Sequence, residues 1–509
     1  MGQLPRLVLT GAAGFLGKQV IERLAGKWRI EAVDRDPPIA GPLAHRPDVA
    51  WHAVDLTDAA AVTWLFTRLR ADGGAAALVH LAAHYDFTGE RHPDYQRTNV
   101  DGTRRLLDAC DGLGLERFVF ASSLAACEFP RAGKILVESS PPDGAHIYAE
   151  SKRAGEAIVR GERRFPTTIV RFAALYSDWC EYAPLFSLLR TWLSKGWNSR
   201  ILGGRGRSAV PYLHVRDAGA FLERLLDLRR ELEPAEVLIA SPNRVTSHAD
   251  LFRAVTAYVR GRPLRPIFTP QPIATLGLRF LDLVGKASGD RPFERPWMAK
   301  MIDRRLEVDP SHTYERLGWT PRARLEVTRR IPFLIENQYS EQGTWAARNE
   351  AALHIAELPA QVQILRLFEA HEEELFEAAT RALVADPVHF PHYATVGSSE
   401  HDWNHRQFLR NLAQSVRTRH RGFFRTYCHD LALRRARQGI PHHELDAALL
   451  SFQRVFYEVL AADPRAAALQ PHLHELVTRT IEFGLDGVEA GYEEAGPPHA
   501  TTEHQPPDS

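Results

Sequence analysis

Cysteine and lysine are both scarce in this chain of 509 residues, with four of the former and seven of the latter, none beyond Lys300. The cysteines, Cys110, Cys127, Cys180 and Cys428, lie far apart and lack metal-ligand spacing. That excludes a disulfide framework and a thiolate metal cage, and it suits a reducing compartment. Net charge is also missing: Lys+Arg and Asp+Glu both number 63. No global field exists to hold nucleic acid or an anionic membrane. No apolar run approaches the roughly 18 residues that mark a membrane span, and the N-terminus enters a strand pattern with no signal-peptide apolar region. The expectation is a soluble cytoplasmic protein with no nucleic-acid partner and no membrane span.

What is present is an ordinary globular composition, 44% hydrophobic, 25% charged and 9% aromatic, with room for two or more cores. Arg6-Leu7-Val8-Leu9-Thr10 reads as a buried strand running into Gly11-Ala12-Ala13-Gly14-Phe15-Leu16-Gly17, followed by an amphipathic helix from Lys18 to Ala25. Strand, glycine turn and helix in that order supply the context of a dinucleotide fingerprint. Gly11 permits the tight turn, Gly14 lets backbone approach a pyrophosphate, and Gly17 lets helix pack on strand. The free N–H groups of the helix then face the phosphates. A second strand, Ile30 to Val33, ends in Asp34. A carboxylate there accepts from a ribose 2′-OH and repels a 2′-phosphate, so NAD is favoured, while the adjacent Arg35 leaves NADP open.

Further apolar segments end at Val54-Asp55-Leu56 and occupy 77–83, 117–123 and 167–172, with helical patterns between them, one around Arg97 to Thr103. This alternation predicts an α/β fold with a Rossmann-like, doubly wound parallel sheet and a small substrate lobe. Tyr148-Ala149-Glu150-Ser151-Lys152 falls in the helical pattern before the last of these strands. At a spacing of four, Tyr148 and Lys152 share one helix face. A free phenol with a pKa of about 10 is a poor catalyst at neutral pH, and a neighbouring ammonium favours its ionised form.

In their order, TGAAGFLG, Asp34, Asp55-Leu56, the HLAA of 80–83, Asn99, Ser122-Ser123 and YAESK resemble the extended short-chain dehydrogenase/reductase (NAD-dependent epimerase/dehydratase) family. The resemblance extends over about residues 5 to 338, through His214-Val215-Arg216-Asp217 to Leu317-Gly318-Trp319-Thr320-Pro321. It implies a nicotinamide cofactor and a Ser–Tyr–Lys site. Ser123 would hydrogen-bond the substrate oxygen, Tyr148 would exchange its proton, and Lys152 would hold the nicotinamide ribose and lower the Tyr148 pKa. Phe15 and Leu16 would touch the pyrophosphate, Asp55 and Leu56 the adenine, and Ala82 and Asn99 would lie along the cofactor cleft.

The departures narrow the chemistry. Leu124-Ala125 stand where the family's nucleotide-sugar dehydratases carry an Asp-Glu pair, which argues against elimination. Ala174 and Val210 stand where its epimerases carry Asn and Arg, although Arg205 or Arg207 lies close enough in sequence to substitute. An arginine forked onto phosphate has no apolar equivalent, so a nucleotide sugar is disfavoured. The substrate side is aromatic instead, with Tyr85, Phe87, Trp179, Tyr182, Trp192, Trp197 and Tyr212. Of these, Tyr85, Trp179, Tyr182 and Tyr212 are the candidate substrate contacts, and they suit a hydrophobic or ring-containing molecule. Cys180 reads as a packing residue, since no histidine is tied to it.

The pattern loosens after Asn337, which places a linker at 339–350 between an enzyme domain at 1–338 and an all-helical domain at 351–495. The polar, proline-rich tail at 496–509 reads as disordered. His401 and His405 have a spacing that could bind metal, but no second pair matches them, so no metal site is expected. Leu433 to Pro441 with His443-Glu444-Leu445 resembles the haem-free, globin-like sensor domain of bacterial stressosome proteins, which implies regulation or a protein partner. A helical extension serving homodimerisation is the other reading. For the whole chain, the sequence points to an NAD(P)-dependent interconversion of a secondary alcohol and a ketone. A nucleotide-sugar epimerase and an NAD(H)-responsive regulator remain as alternatives.

Overall fold

Leu7, Val8 and Leu9 are all excluded from solvent, although successive strand residues point to opposite faces. Leu7 and Leu9 belong to one apolar core and Val8 to another, so the sheet that they start is covered on both sides. The computed structural model describes residues 4–38, 43, 46–131, 133–288, 293–341, 344–345, 348–349, 364–365, 367–368, 370–393, 398–418 and 420–496. The chain divides into two units, Met1–Tyr339 with Arg348–Ala356, and Ser340–Ala347 with Glu357–Ser509.

In the first unit β1 (Arg6–Thr10), β2 (Arg29–Asp34), β3 (Val49–Ala53), β4 (Ala77–His80), β5 (Arg117–Ser123) and β6 (Thr167–Phe172) join the strand Ala235–Ala240 in a seven-stranded parallel sheet. Its order is Ala235–Ala240, β6, β5, β4, β1, β2, β3. The order reverses between β1 and β4, and the crevice beyond their carboxyl ends is where such sheets take ligands. The helices α1 (Phe15–Leu24), α2 (Ala59–Ala71), α3 (Thr103–Ala109) and α4 (Ile147–Gly161) follow the pattern expected for a doubly wound sheet.

Three local expectations are adjusted. The first helix begins at Phe15 rather than Lys18, because extended Gly14 already caps it. β4 stops at His80 rather than Ala83: the His80 ring bridges Thr10 Oγ1 at 2.7 Å and Thr103 Oγ1 at 3.0 Å, and the chain then turns into the crevice. The helix around Arg97 is a π-helical segment, Tyr95–Gly102, of the kind that clusters at functional sites.

The catalytic-motif helix α4 lies unusually close to the sheet. A Cβ on Gly155 would sit 2.5 Å from Phe120 Cζ. One turn away from Lys152, buried Glu156 accepts from Arg171 at 2.9 and 2.8 Å and from Ser122 Oγ at 2.7 Å, which neutralises both buried charges.

The second unit contains the helices Glu372–Val384, Ser398–Thr418, Gly422–Arg437, His442–Ala461 and Gln470–Ala495 around a core that includes Phe408, Phe424, Phe452 and Phe456. The side chain of His401 lies outside the described residues, while His405 is buried and bonded through Nδ1 to Thr380 Oγ1 at 2.9 Å. The tail from 497 to 509, and most of 339–350 beyond Glu341, also lie outside them.

Gly484, Gly487 and Gly491 let the last helix approach Gly422–Arg437. A Cβ at Gly487 would lie 2.3 Å from the Arg425 carbonyl oxygen. Helix propensity alone would make Gly487→Ala stabilising by about 1 kcal/mol. The close approach reverses the sign, and urea denaturation should show a loss of about 1–3 kcal/mol in the unfolding of this unit. A stabilised variant would show that the glycine is not needed for packing.

Candidate active site

Gly11 has φ +69°, and a Cβ there would meet the Ala82 backbone nitrogen at 2.7 Å. The turn after β1 therefore both needs and permits glycine, and it brings the loop against the segment after β4. Gly17 is equally constrained, since its Cβ would lie 2.3 Å from the Gly11 carbonyl oxygen. Asp34 at the end of β2 accepts from Ala13 N at 2.9 Å, so the carboxylate also fixes the glycine loop. Asp55, just past β3, caps Thr57 N at 2.7 Å, and Leu56 is buried beside it. The loop, the start of α1, Asp34, Asp55-Leu56 and Ala82 thus converge on the switch-point crevice. This cradle of N–H groups next to a carboxylate fits a dinucleotide.

Asn99 braces the far side of the crevice. Its Oδ1 accepts from His84 N at 2.7 Å, and its Nδ2 donates to His84 O and Ser151 Oγ, both at 3.0 Å. Ser151 donates in turn to Tyr148 O at 2.8 Å. One amide thereby ties the π-helical segment, the loop after β4 and the catalytic-motif helix together. Asp86 fixes the same loop further along, accepting from Tyr95 Oη at 2.8 Å and Thr88 Oγ1 at 3.0 Å.

Ser123, Tyr148 and Lys152 meet at the end of β5. The Ser123 hydroxyl lies near enough to the Tyr148 phenol to act on its ionisation, and its Oγ accepts from Ala125 N at 3.1 Å. Lys152 is buried; its Nζ donates to Ala121 O at 2.7 Å and lies 5.1 Å from the Phe120 ring centre and 5.8 Å from that of Tyr148. The expected lowering of the phenol pKa is not present in this arrangement. Burial pushes Tyr148 well up, Ser123 opposes that, and Tyr182 adds to it. The phenol is held protonated because loss of water outweighs an ammonium nearly 6 Å from the ring.

Around this trio is an aromatic wall. Tyr85 stacks on Tyr148 with ring centres 4.0 Å apart and planes 22° apart. Phe87 packs on Tyr85 at 4.0 Å and meets Tyr182 and Phe293 at 5.9 Å. Tyr182 meets Tyr212 at 5.9 Å. His146, which caps α4, lies between Tyr148 and Trp297, at 6.1 and 5.8 Å. Burial raises the Tyr85 and Tyr212 phenols and brings Tyr182 up to about 12, so the wall is uncharged at neutral pH. Phe87 and Cys180 hold φ values of +57° and +64°, strained positions on the two loops that carry the wall.

Of the four candidate substrate contacts, Tyr85, Tyr182 and Tyr212 are brought together. Trp179 is not among these rings: Arg348 lies over it at 4.7 Å, and its carbonyl accepts from Asn349 Nδ2 at 2.8 Å. Trp192 packs in the interior against Phe252, and Trp197 is exposed. Phe293, Trp297 and His146 were not legible in the sequence, although the position of His146 before a helical run is a cap signal.

Leu124 and Ala125 form a short 3-10 turn, with Leu124 buried. Ala174 and Val210 lie in short strands, and Arg205 and Arg207 are exposed, their backbone N–H groups held by Asp303. His214 and Asp217 act structurally: His214 Nε2 lies 3.3 Å from Asp178, and Asp217 accepts from Arg322 N at 3.0 Å. Although burial opposes it, hydrogen bonds from His214 and Arg330 hold the Asp178 carboxyl well below its usual range. Cys180 is buried with its thiol pushed up by burial, which suits packing. Among the described residues, His84, His92 and Asp94 bring ligand-type atoms within 4.8 Å of one another.

The sheet and crevice define a dinucleotide-binding protein of the Rossmann-like class. The sequence model of the "NAD dependent epimerase/dehydratase family" matches residues 7–240. The chain is 28% identical over 172 residues to the NAD-dependent glucose-6-phosphate dehydrogenase of Haloferax volcanii, covering 30% of this chain and 61% of that one. It is 28% identical to the dTDP-D-glucose 4,6-dehydratase of Mus musculus, covering 34% and 50%, and 28% identical to a putative dihydroflavonol 4-reductase of Synechocystis, covering 34% and 49%. It thus spans about half to three fifths of the length of these relatives. Among solved structures, the Bordetella bronchiseptica enzyme WbmG in complex with NAD superposes with a TM-score of 0.49 at 20% identity, over 66% of this chain and 95% of that one. Residues 7–240 belong to the NAD-dependent epimerase/dehydratase family, the extended short-chain dehydrogenase/reductases, and NAD is the cofactor that the crevice fits.

Burial brings the Lys152 ammonium down to about 8 from 10.5, with Glu156 opposing the shift. The unfolded chain then binds the extra proton between those values, so this group's contribution to stability rises with pH across about 8 to 10.5. Below that window the buried charge is a net penalty of about 3 kcal/mol at most. Lys152→Met should therefore be more stable than the parent at pH 7 in urea titrations, by about 1–3 kcal/mol, with the gap narrowing by pH 10. A constant gap, or a less stable variant, would count against a penalty from the buried ammonium.

Proposed function

We propose that the first unit is an NAD(P)-dependent oxidoreductase that interconverts a secondary alcohol and a ketone on a hydrophobic or ring-containing small molecule. The observation that carries this reading is the stacking of Tyr85 on Tyr148, with Phe87, Tyr182 and Tyr212 continuing an uncharged wall away from the reacting hydroxyl. Flat aromatic faces with few polar anchors select apolar rings over phosphates.

When bound, the nicotinamide cofactor supplies the hydride donor or acceptor. Ser123 hydrogen-bonds the substrate oxygen, and the protonated Tyr148 phenol donates to that oxygen as a carbonyl is reduced. In the reverse direction Tyr148, in the phenolate form that proton donation leaves, takes the hydroxyl proton while the C–H electron pair leaves as hydride to the cofactor. Lys152, charged below pH 8, offsets negative charge developing on the phenol and bonds a ribose hydroxyl when the cofactor is present, as the family resemblance implies. Asp34 is placed for the adenosine ribose and favours NAD, with NADP open through Arg35. The helical unit is read as a regulatory or interaction module, in line with its resemblance to a sensor domain.

A nucleotide-sugar epimerase is the second reading, favoured by the family of residues 7–240. It is opposed by apolar Val210 and by the exposure of Arg205 and Arg207. Screening hydrophobic secondary alcohols and ketones with NAD and NADP separates the two, since net NADH formation excludes simple epimerisation. With a substrate in hand, Tyr148→Phe should lower kcat by about 10³ while leaving NAD affinity within about twofold. Full activity in that variant would end the assignment. Tyr85→Ala should raise KM for a ring-containing substrate about tenfold, a loss on the order of 1.4 kcal/mol. An unchanged KM would remove Tyr85 from the binding wall.

A further inference from the structure

The helix Gln271–Ser288 is apolar on its outward side. Ile273, Leu276, Phe280, Leu281, Leu283 and Val284 are all exposed, Leu276 by 70% and Leu283 by 67%. Their spacing of three and four marks one broad helix face. The single carboxylate of the helix points inward. Asp282 is buried and paired with Lys286 at 3.2 Å and Arg295 at 3.6 Å, and Gln271 Nε2 donates to Ala299 O at 3.2 Å. The usual amphipathic arrangement is thus inverted. The strand before this helix adds two more exposed apolar side chains, Ile267 and Phe268.

Charge is segregated here as well. From Asp250 to Asp282 the sequence holds five arginines, at 253, 260, 262, 265 and 279, against those two aspartates, of which Asp250 pairs with Arg253 at 3.3 Å, within a chain whose overall charge is zero. A scattered single exposed apolar side chain needs no explanation, but six on one helix do. An outward apolar face on a segment where arginines outnumber aspartates has the chemistry of a helix lying in a bilayer interface, and the arginines complement anionic headgroups. None of the described helices is long and apolar enough to cross a membrane, so the contact is with one leaflet only.

We infer that the helix Gln271–Ser288 seats the protein on an anionic lipid surface. The segment paired to its polar side carries Phe293 and Trp297, which belong to the aromatic wall around Tyr148. Docking would therefore place that wall next to a reservoir of apolar molecules. This last consequence rests on the proposed hydrophobic substrate, whereas lipid binding itself does not.

The test is co-sedimentation of the full chain with vesicles of phosphatidylcholine alone and of phosphatidylcholine mixed with phosphatidylglycerol. The full chain should pellet with the anionic vesicles, less with the neutral ones, and less as salt is raised. Leu276→Glu/Phe280→Glu should weaken binding at least about tenfold while NAD affinity stays unchanged. If that pair does not fold, Leu276→Gln/Leu283→Gln keeps helix propensity and carries the same expectation. No binding to anionic vesicles overturns the inference, as does binding that the folded variants leave intact. A parent dimer that ignores vesicles and becomes monomeric on substitution also overturns it, because the face would then join two copies of the chain. A catalytic failure with vesicle binding retained would sink only the proposed oxidoreductase reading.

Discussion

The close approach of α4 to the sheet is the constraint on which the site depends. Without a side chain at Gly155, the helix lies against the Phe120 ring, and Glu156 reaches through to Arg171 and Ser122. That depth determines what Lys152 can do: its Nζ reaches the Ala121 carbonyl rather than water. It also fixes Tyr148 beside Ser123 at the end of β5. A bulkier residue at 155 would lift the helix and carry Tyr148 and Lys152 together away from Ser123. The buried ion pair is better read as a positional device than as a source of stability, since such pairs seldom contribute net energy.

A second consequence of that depth is electrostatic. Tyr148 and Lys152 are each displaced toward their neutral forms, the phenol upward and the ammonium downward, by the same loss of water. At neutral pH the phenol stays neutral while the ammonium, titrating near 8, stays charged, so Lys152 is a fixed positive charge beside the uncharged rings of Tyr85, Phe87, Tyr182 and Tyr212. In that setting a negative charge developing on an oxygen gains more from Ser123 and Lys152 than it would in water. The strained backbone at Phe87 and Cys180 belongs to the same economy of form, because both loops bend to deliver rings rather than charges.

Much of this was legible in the sequence because it is local. The strand before Gly11, the helix after it, the carboxylate at Asp34 and the Tyr148/Lys152 spacing are all short-range patterns, and the sheet follows from their repetition. What was not legible depends on chain segments that meet only in three dimensions. Phe293 and Trp297 join the wall from a distant part of the sequence that carries no motif. Trp179, adjacent to candidate residues in sequence, is covered by Arg348 instead. The direction of the Tyr148 shift was misjudged for a related reason: spacing shows that an ammonium is near, but burial decides which effect dominates. The π-helical segment at Asn99 was likewise hidden, since its side-chain pattern passes for an ordinary helix.

The overall neutrality of the chain concealed a further feature. Equal numbers of acids and bases exclude a global field but say nothing about segregation, and the stretch from 250 to 282 holds five arginines against two aspartates and includes most of an outward apolar helix. The two observations reinforce each other. An apolar face alone would suit a protein partner or a second copy, and an arginine cluster alone would suit any polyanion. Together they favour a surface that is anionic at its boundary and apolar beneath it. The ion pair of Asp282 with Arg295 gives that surface a direct structural link to the segment bearing Phe293 and Trp297. The outward apolar helix and the uncharged aromatic wall are thus joined through one ion pair, and the proposed lipid contact and the proposed apolar substrate support each other.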